Sequence, residues 1–500
     1  MASIRKQTII SSILVYAGFG IGAINTLIYT RKNFLFTPDQ YALTRLFFDV
    51  GQMILCFASL GSFSVLNKFY PYYKDNLPNN QNDLFVRTLI INLAGFVLVV
   101  AGGIIFEPVI VRKFSENSKL FVDYYHWTFV FGFGLTLFSL LESYSWSTQK
   151  TILPNFLRET GLRILTSLFI ALYFFHIVTF SYFIYLFSTL YLVMAIILFI
   201  NMAGKKDIHL VFSVSRVTKK FGKRMVQMQV MIFGGSAIIA IGQTIDGIMI
   251  ASLQGLKQTA IYTFAAYIAN LVQVPQRSIQ AISTGVLARA WKDKDYAEIN
   301  RIYGRSSINM LILGLFIFGN VWLNIINGLK LLHIQEDYSQ ALLAILVIGA
   351  IRIIDAGTGV NQIIIGTSNK WTFEFYSGIV ILAIRIPMAY LFIKRYGFIG
   401  SAYSELISLT LFNLIRFEFL RRTYNMQPFS IKTLYVLLLA FGAYFIVRFG
   451  MGGVGGWTGI AVRTIIFSSV MVAGTFALKL TPDAMQLYDN MKKRFAGKAS

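Results

Sequence analysis

The chain has 500 residues, of which 56% are apolar, 15% aromatic and only 13% charged. A water-soluble protein of this length needs far more polar surface, so the solvent for most of this chain is lipid. The formal net charge of +23 therefore has to be read by position before it is taken as a sign of nucleic-acid binding.

A spanning helix needs roughly 20 mainly apolar residues. Runs of that length lie at 9–30, 43–66, 86–111, 124–146, 159–180, 181–202, 227–251, 261–286, 305–327, 341–366, 373–393, 398–420, 433–450 and 458–480. Barrel strands would be about half as long and would alternate in polarity. The pattern predicts an all-α polytopic membrane protein of about 14 transmembrane helices. The first run follows Arg5 and Lys6 and shows no small-residue cleavage site before Arg31, so it reads as a retained span and not as a signal peptide. The longest charged connection, 203–226, interleaves Val211, Phe212, Val214 and Val217 with basic residues and reads as an amphipathic cytoplasmic linker. It separates an N-terminal bundle at 1–202, spans 1–6, from a C-terminal bundle at 227–420, spans 7–12. Spans 13 and 14 and a cytoplasmic tail occupy 421–500.

With the N-terminus inside, the cytoplasmic connections carry Lys68, Lys74, Lys150, Arg158, the cluster Lys205, Lys206, Arg216, Lys219, Lys220, Lys223 and Arg224, then Arg289, Lys292, Lys294, Arg301, Arg305, Arg421, Arg422 and Lys492 to Lys498. The opposite side holds fewer, chiefly Arg31, Lys32, Arg112, Lys113, Lys119, Lys257, Lys330, Lys394 and Arg395. This asymmetry is the positive-inside pattern with both termini cytoplasmic, and it accounts for the basic balance through membrane lipids without nucleic acid. Cys56 is the only cysteine and His126, His176, His209 and His333 lie far apart, so no disulfide framework or metal site is expected, and no cofactor. Gly450, Gly452 and Gly455 match G-x-G-x-x-G but sit between two spans with no preceding strand, which makes a pliable hairpin and not a dinucleotide site. No Walker A sequence is present, and no loop is large enough for a soluble catalytic domain, so the chain does not read as an enzyme.

A shift of 221 positions carries Asn25 onto Asp246, Asp49 onto Asn270, Gln52 onto Gln273 and Leu66 onto Leu287. Polar residues at helical spacing follow the same rhythm in span 2 (Arg45, Asp49, Gln52, Cys56, Ser59) and span 8 (Asn270, Gln273, Arg277, Gln280, Thr284). Two such repeats predict polar stripes lining a central cavity; the alternative is that the stripes hold helices together by hydrogen bonds. Arg277, Arg352 and Arg385 fall near mid-span, where a charge is costly unless it meets water, a partner or an anionic ligand. Arg352 and Asp355, three residues apart, could instead neutralise each other, and Pro387 could bend the helix of Arg385. Arg277 has no acid within reach on its own helix. Among the intramembrane acids, Asp49, Asp246, Asp355 and Glu405 are candidates for binding a coupling H+ or Na+, or for pairing with the arginines; Glu142 lies nearer the cytoplasmic end.

The segment IKRYGFIGSAYSELISLTLFNLIRFEFLRRTYNMQPFS, Ile393 to Ser430, resembles the bacterial polysaccharide (O-antigen type) flippases of the multidrug/oligosaccharidyl-lipid/polysaccharide exporter superfamily, which open span 12 with Tyr-Gly-x-x-Gly-x-Ala and place Pro-Phe before span 13. LGSFSVLNKFYPYYKDN and VLARAWKDKDYAEINRIYGRS are similar to the ends of that family's spans 2 and 8. The resemblance covers the whole chain. It implies two pseudosymmetric six-helix bundles plus two C-terminal helices in the bacterial inner membrane, and alternating access that flips a polyprenyl-diphosphate-linked oligosaccharide to the outer leaflet. On that reading Arg277, Arg352 and Arg385 hold the diphosphate, Asn25, Gln52, Asn270, Gln273 and Gln280 line the cavity or contact sugar, and polysaccharide-assembly enzymes are candidate partners. The alternatives are a multidrug cation antiporter or a lipid II flippase of the same superfamily and, in a different class, a membrane polysaccharide polymerase or ligase.

Overall fold

The computed structural model describes residues 2–205, 207–451, 453–483 and 485, with no description of the side chains of 2–13, 15, 16, 79 and 281. Lys206, Gly452 and the basic run Lys492 to Lys498 lie outside the described residues. Among those described the chain is helical, with no β-strand, as lipid requires: a backbone that cannot bond water must satisfy its own polar groups. Its contacts cluster into two compact units, 1–260 and 261–500.

The first unit contains α1 (Ala2–Thr30), α2 (Pro38–Ser59), α3 (Ser62–Asn76), α4 (Leu84–Phe114), α5 (Lys119–Asp123), α6 (Trp127–Ser147), α7 (Ile152–Phe156), α8 (Leu162–Phe174), α9 (Phe180–Ser188), α10 (Leu190–Gly204) and α11 (Arg216–Gln254). Helix α12 (Leu256–Ala269) begins in it and continues into the second unit. The second also holds α13 (Gln273–Asp293), α14 (Tyr296–Leu331), α15 (Ala341–Gly357), α16 (Asn361–Thr367), α17 (Thr372–Tyr396), α18 (Ile399–Tyr424), α19 (Ile431–Gly450) and α20 (Gly456–Ala477). The chain is a multi-pass membrane protein: eight described helices are long and apolar enough to cross a bilayer, and the bent pair α9 and α10, angled at 41°, makes a ninth.

Several expected spans are broken for visible reasons. Span 8 is split by a 3₁₀ turn at Asn270–Val272, just ahead of Pro275, which cannot donate to the turn before it. Span 5 is joined through a π turn at Leu157–Gly161. Pro387, by contrast, does not end its helix, since α17 runs through it to Tyr396.

In the first unit α2 packs against α4, α6 and α11. Phe131 of α6 fills the space over Gly51, and Ile54 of α2 fills the space over Gly132, so that a Cβ at either glycine would come within 2.7 Å of the facing side chain. Phe48, Phe131, Phe187 and Tyr191 join this contact with ring centroids 5.1 to 6.2 Å apart. In the second unit α14 packs on α15, α19 and α20, and α17 pairs with α18. The turn between α17 and α18 explains the Tyr-Gly-x-x-Gly-x-Ala pattern: Gly397 has φ +69°, and Gly400 lets the carbonyl of Phe392 approach to where a Cβ would stand 2.1 Å away.

The segment expected to be an amphipathic linker is not helical over 207–215; helix resumes at Arg216 and runs without interruption into span 7 as α11. A single buried carboxylate ties this connection down. Asp83, at the start of α4, accepts hydrogen bonds from the Ser215 backbone (3.1 Å), the Thr218 hydroxyl (2.9 Å) and Arg87 Nε (3.2 Å). Arg87 Nη2 also donates to the Phe212 carbonyl at 2.9 Å.

Burial pushes the Asp83 pKa up, but the hydrogen bonds from Ser215, Thr218 and Arg87 outweigh it and hold the carboxyl below its ordinary 3.8. A depressed pKa stabilises the folded chain above the unfolded value, and that contribution disappears as pH falls through the folded one. Thermal unfolding of wild type should therefore weaken further below pH 3.8 than that of Asp83→Asn, which should already be less stable near neutrality by about 1–3 kcal/mol. Parallel pH profiles for the two proteins would rule out this role of Asp83.

Candidate functional site

In the second unit, α15, α17 and α18 bring Arg352, Arg385 and Glu405 together. Arg352 Nη1 lies 3.1 Å from Glu405 Oε1, and its Nε donates to Asn270 Oδ1 at 2.8 Å, in the 3₁₀ turn ahead of α13. Arg385 is close enough to act electrostatically on Glu405. Glu405 is only 7% exposed, so its charge is held by the arginines and not by water. The intrahelical pairing of Arg352 with Asp355 is not what forms. Asp355 turns away to accept from Gln276 Nε2 (2.8 Å) and Asn413 Nδ2 (3.3 Å), while Asn413 accepts from Thr358 and Asn361. The amide network gives Asp355 neutral donors, and Glu405 across the helix pair is the better counter-charge for Arg352.

Arg277 sits on α13 in a different state. It is exposed and has no hydrogen bond or ion pair to the described residues. Gln273 and Gln280 on the same helix are half-buried, their side-chain amides likewise without partners. The 3₁₀ turn separates Asn270 from this group, so the expected continuous stripe is two pieces: Asn270 with Arg352, and Gln273, Arg277 and Gln280 on α13.

In the first unit, Asp49 lies directly over the bare backbone of Gly247, where an added Cβ would be 2.1 Å from Asp49 Oδ2. Asp246 is the neighbouring residue on α11, and its charge and that of Arg45 both act on Asp49. Arg45 lies one turn before Asp49, its guanidinium 5.1 Å from the centroid of the Tyr41 ring. The two candidate acids of this unit therefore share one site. Gln52, one turn on, is half-buried and without a partner among the described residues. Asn25 is placed otherwise than expected of a cavity-lining residue. It is buried, it donates to the Arg163 carbonyl at 3.0 Å, and it accepts from Ser167 at 2.8 Å. With both ends of its amide bound to α8, it holds helices together.

Two further buried cations, Arg416 and Arg463, and the half-buried Arg158 were not singled out by the sequence. Arg158, assigned to a loop, pairs from the π turn with Glu142. Arg416 of α18 pairs with Glu374 of α17, Nε to Oε2 at 3.0 Å, over the face of Phe412. Arg463 of α20 donates to Asn324 Oδ1 (3.0 Å) and the Val454 carbonyl (2.8 Å). Acid and base lie on separate segments in the first two, and Arg463 is held by an amide and a carbonyl; no local spacing signals any of them.

No protein-family model matches the chain, and no curated protein matches it by sequence. Solved structures do. The lipid II flippase MurJ in an inward closed conformation superposes with a TM-score of 0.74 at 13% identity, covering 94% of this chain and 98% of that one. An inward-facing multidrug resistance MATE family transporter of the MOP superfamily gives 0.60 at 15% identity, covering 82% and 96%. The Vibrio cholerae MATE transporter VcmN in its bent form gives 0.51 at 12% identity, covering 84% and 97%. The chain has the fold of these transporters. Its all-helical, multi-pass architecture is thus the expected one.

Arg416 is 6% and Glu374 18% exposed in their side chains, so breaking the pair strands a buried charge. Arg416→Met or Glu374→Leu alone should cost about 3–5 kcal/mol in thermal unfolding, and the double variant should regain most of it. A double variant as unstable as the sum of the two would mean that the pair is not what those side chains contribute.

Proposed function

We propose that this chain is a transporter, not an enzyme, that flips a polyprenyl-diphosphate-linked oligosaccharide across the bacterial inner membrane by alternating access, with both termini cytoplasmic. The observation that carries the reading is Arg277: a guanidinium in the stretch that the sequence reads as span 8, exposed and without a partner among the described residues, in a chain with the fold of a lipid II flippase. A cation at that depth is costly unless an anion meets it, and a guanidinium offers a phosphate two parallel donors at any physiological pH. Arg352 and Arg385 supply the second cationic group, and Gln273 and Gln280 the amides for sugar hydroxyls. Three arginines disfavour the organic cations of a drug antiporter. Asp49 and Asp246, near enough in the first unit for the charge of Asp246 to act on Asp49, are the acids we assign to a coupling H+ or Na+, since two carboxylates in one site bind a cation more readily than either alone. The fold likeness also brings forward lipid II as cargo.

Purified protein in liposomes, loaded with a lipid-diphosphate oligosaccharide, should make that lipid accessible to an external glycosidase over time. Loss of a charge-assisted hydrogen bond is worth about 1.5–3 kcal/mol, so Arg277→Ala should slow flipping by about tenfold or more, and Arg277→Lys, with no planar fork, should not restore the full rate. Undiminished flipping by Arg277→Ala would sink the role of this residue. Transport of lipid II but not of the other cargo would favour the second reading, and expulsion of a cationic dye with no lipid movement would replace both.

A further inference from the structure

The guanidinium cluster of the second unit already contains an anion. Glu405 is buried, ion-paired to Arg352 and under the field of Arg385. The other ionisable groups of the packed elements are otherwise engaged or distant in sequence. Asp355 is bound by Gln276 and Asn413, and Glu374 by Arg416; Lys394 and Arg395 lie at the far end of α17 over Tyr390 and Tyr396; α16 carries no ionisable side chain. A ligand anion that takes the Nη1 side of Arg352 has to displace this carboxylate.

Resting on the anionic-cargo reading above, we propose that Glu405 is an internal stand-in for the cargo's diphosphate and that it sets which anions the site accepts. A monoanionic phosphodiester, the headgroup chemistry of bulk phosphatidylglycerol, exchanges one negative charge for another at Arg352 and breaks the buried Glu405 ion pair there, leaving that carboxylate to the field of Arg385. That exchange is unfavourable. A lipid-linked diphosphate carries two charged phosphates and spans more than one guanidinium, so it can engage Arg352 and Arg385 together and outweigh the displaced carboxylate. Glu405 thereby excludes the abundant anionic lipids among which the protein works and admits the scarce doubly charged one.

The test uses the full chain in phosphatidylcholine liposomes with fluorescent phosphatidylglycerol as the probe, read by energy transfer from the protein's tryptophans. Wild type should bind the probe weakly. Glu405→Gln, which keeps a hydrogen-bonding side chain beside Arg352 and removes the charge, should bind it about tenfold more tightly or better. Glu405→Asp should behave like wild type, and Glu405→Gln combined with Arg352→Gln should lose the gain. Only variants that unfold near the wild-type temperature are scored. On wild type itself, infrared difference spectra on adding the lipid-diphosphate oligosaccharide should show a carboxylate band leaving its guanidinium-bonded frequency. Probe binding unchanged in Glu405→Gln, a gain that survives loss of Arg352, or a carboxylate band unmoved by bound diphosphate lipid would each overturn the proposal. Failure of wild type to bind the diphosphate lipid at all would instead overturn the cargo reading, and the response of Glu405→Gln to phosphatidylglycerol would separate the two.

Discussion

A charge inside a bilayer must bring its own counter-charge or its own hydrogen-bond shell, because lipid supplies neither. Much of the packing in each unit answers to that constraint. Arg158 reaches Glu142, Arg416 reaches Glu374, Arg352 reaches Glu405, and Arg463 is held by an amide and a carbonyl. Such pairs contribute little net stability against well-packed apolar residues, yet each fixes the rotation of one helix against another, since only one register brings both ends together. Arg277 stands outside this pattern, and the contrast is what makes it informative.

Small residues do the complementary work. Gly51 and Gly132 admit Phe131 and Ile54 across the α2–α6 contact, and without a hydrophobic force between helices in lipid such close approach is what favours association. Asp49 over Gly247 is the same device with a carboxylate in place of an aromatic ring. A side chain at position 247 would push the acid away, so the proximity of Asp49 to α11 depends on a missing Cβ.

Much of the fold was legible because hydropathy and span length follow from the thickness of the bilayer, and the polar rhythm of α2 and α13 from helical geometry. The breaks were harder. Pro275 forces a 3₁₀ turn that moves Asn270 off the α13 stripe, whereas Pro387 leaves α17 continuous; a proline constrains the ladder, but neighbouring helices decide whether it parts. The partners of Arg352 were hidden for a different reason. Asp355, three residues away, satisfied every local rule, while Glu405 lies 53 positions on and becomes a neighbour only through the packing of α15 on α18. Asn25 was misplaced by the same logic, since its partners Arg163 and Ser167 come from α8.

The π turn at Leu157–Gly161 holds one residue more than the regular ladder would. It is therefore a reading-frame marker in the helix. Deleting one residue other than Arg158 there would let α7 and α8 fuse into an ordinary helix with both flanks still in phase, because the wide turn already absorbs the extra residue. The same deletion inside the regular helix of α8 would turn the residues on either side of it by about 100° relative to one another, and the face that binds Asn25 could no longer form in step with the pairing of Arg158 and Glu142. A change of one residue in length is therefore absorbed at the π turn and not in the helix beside it.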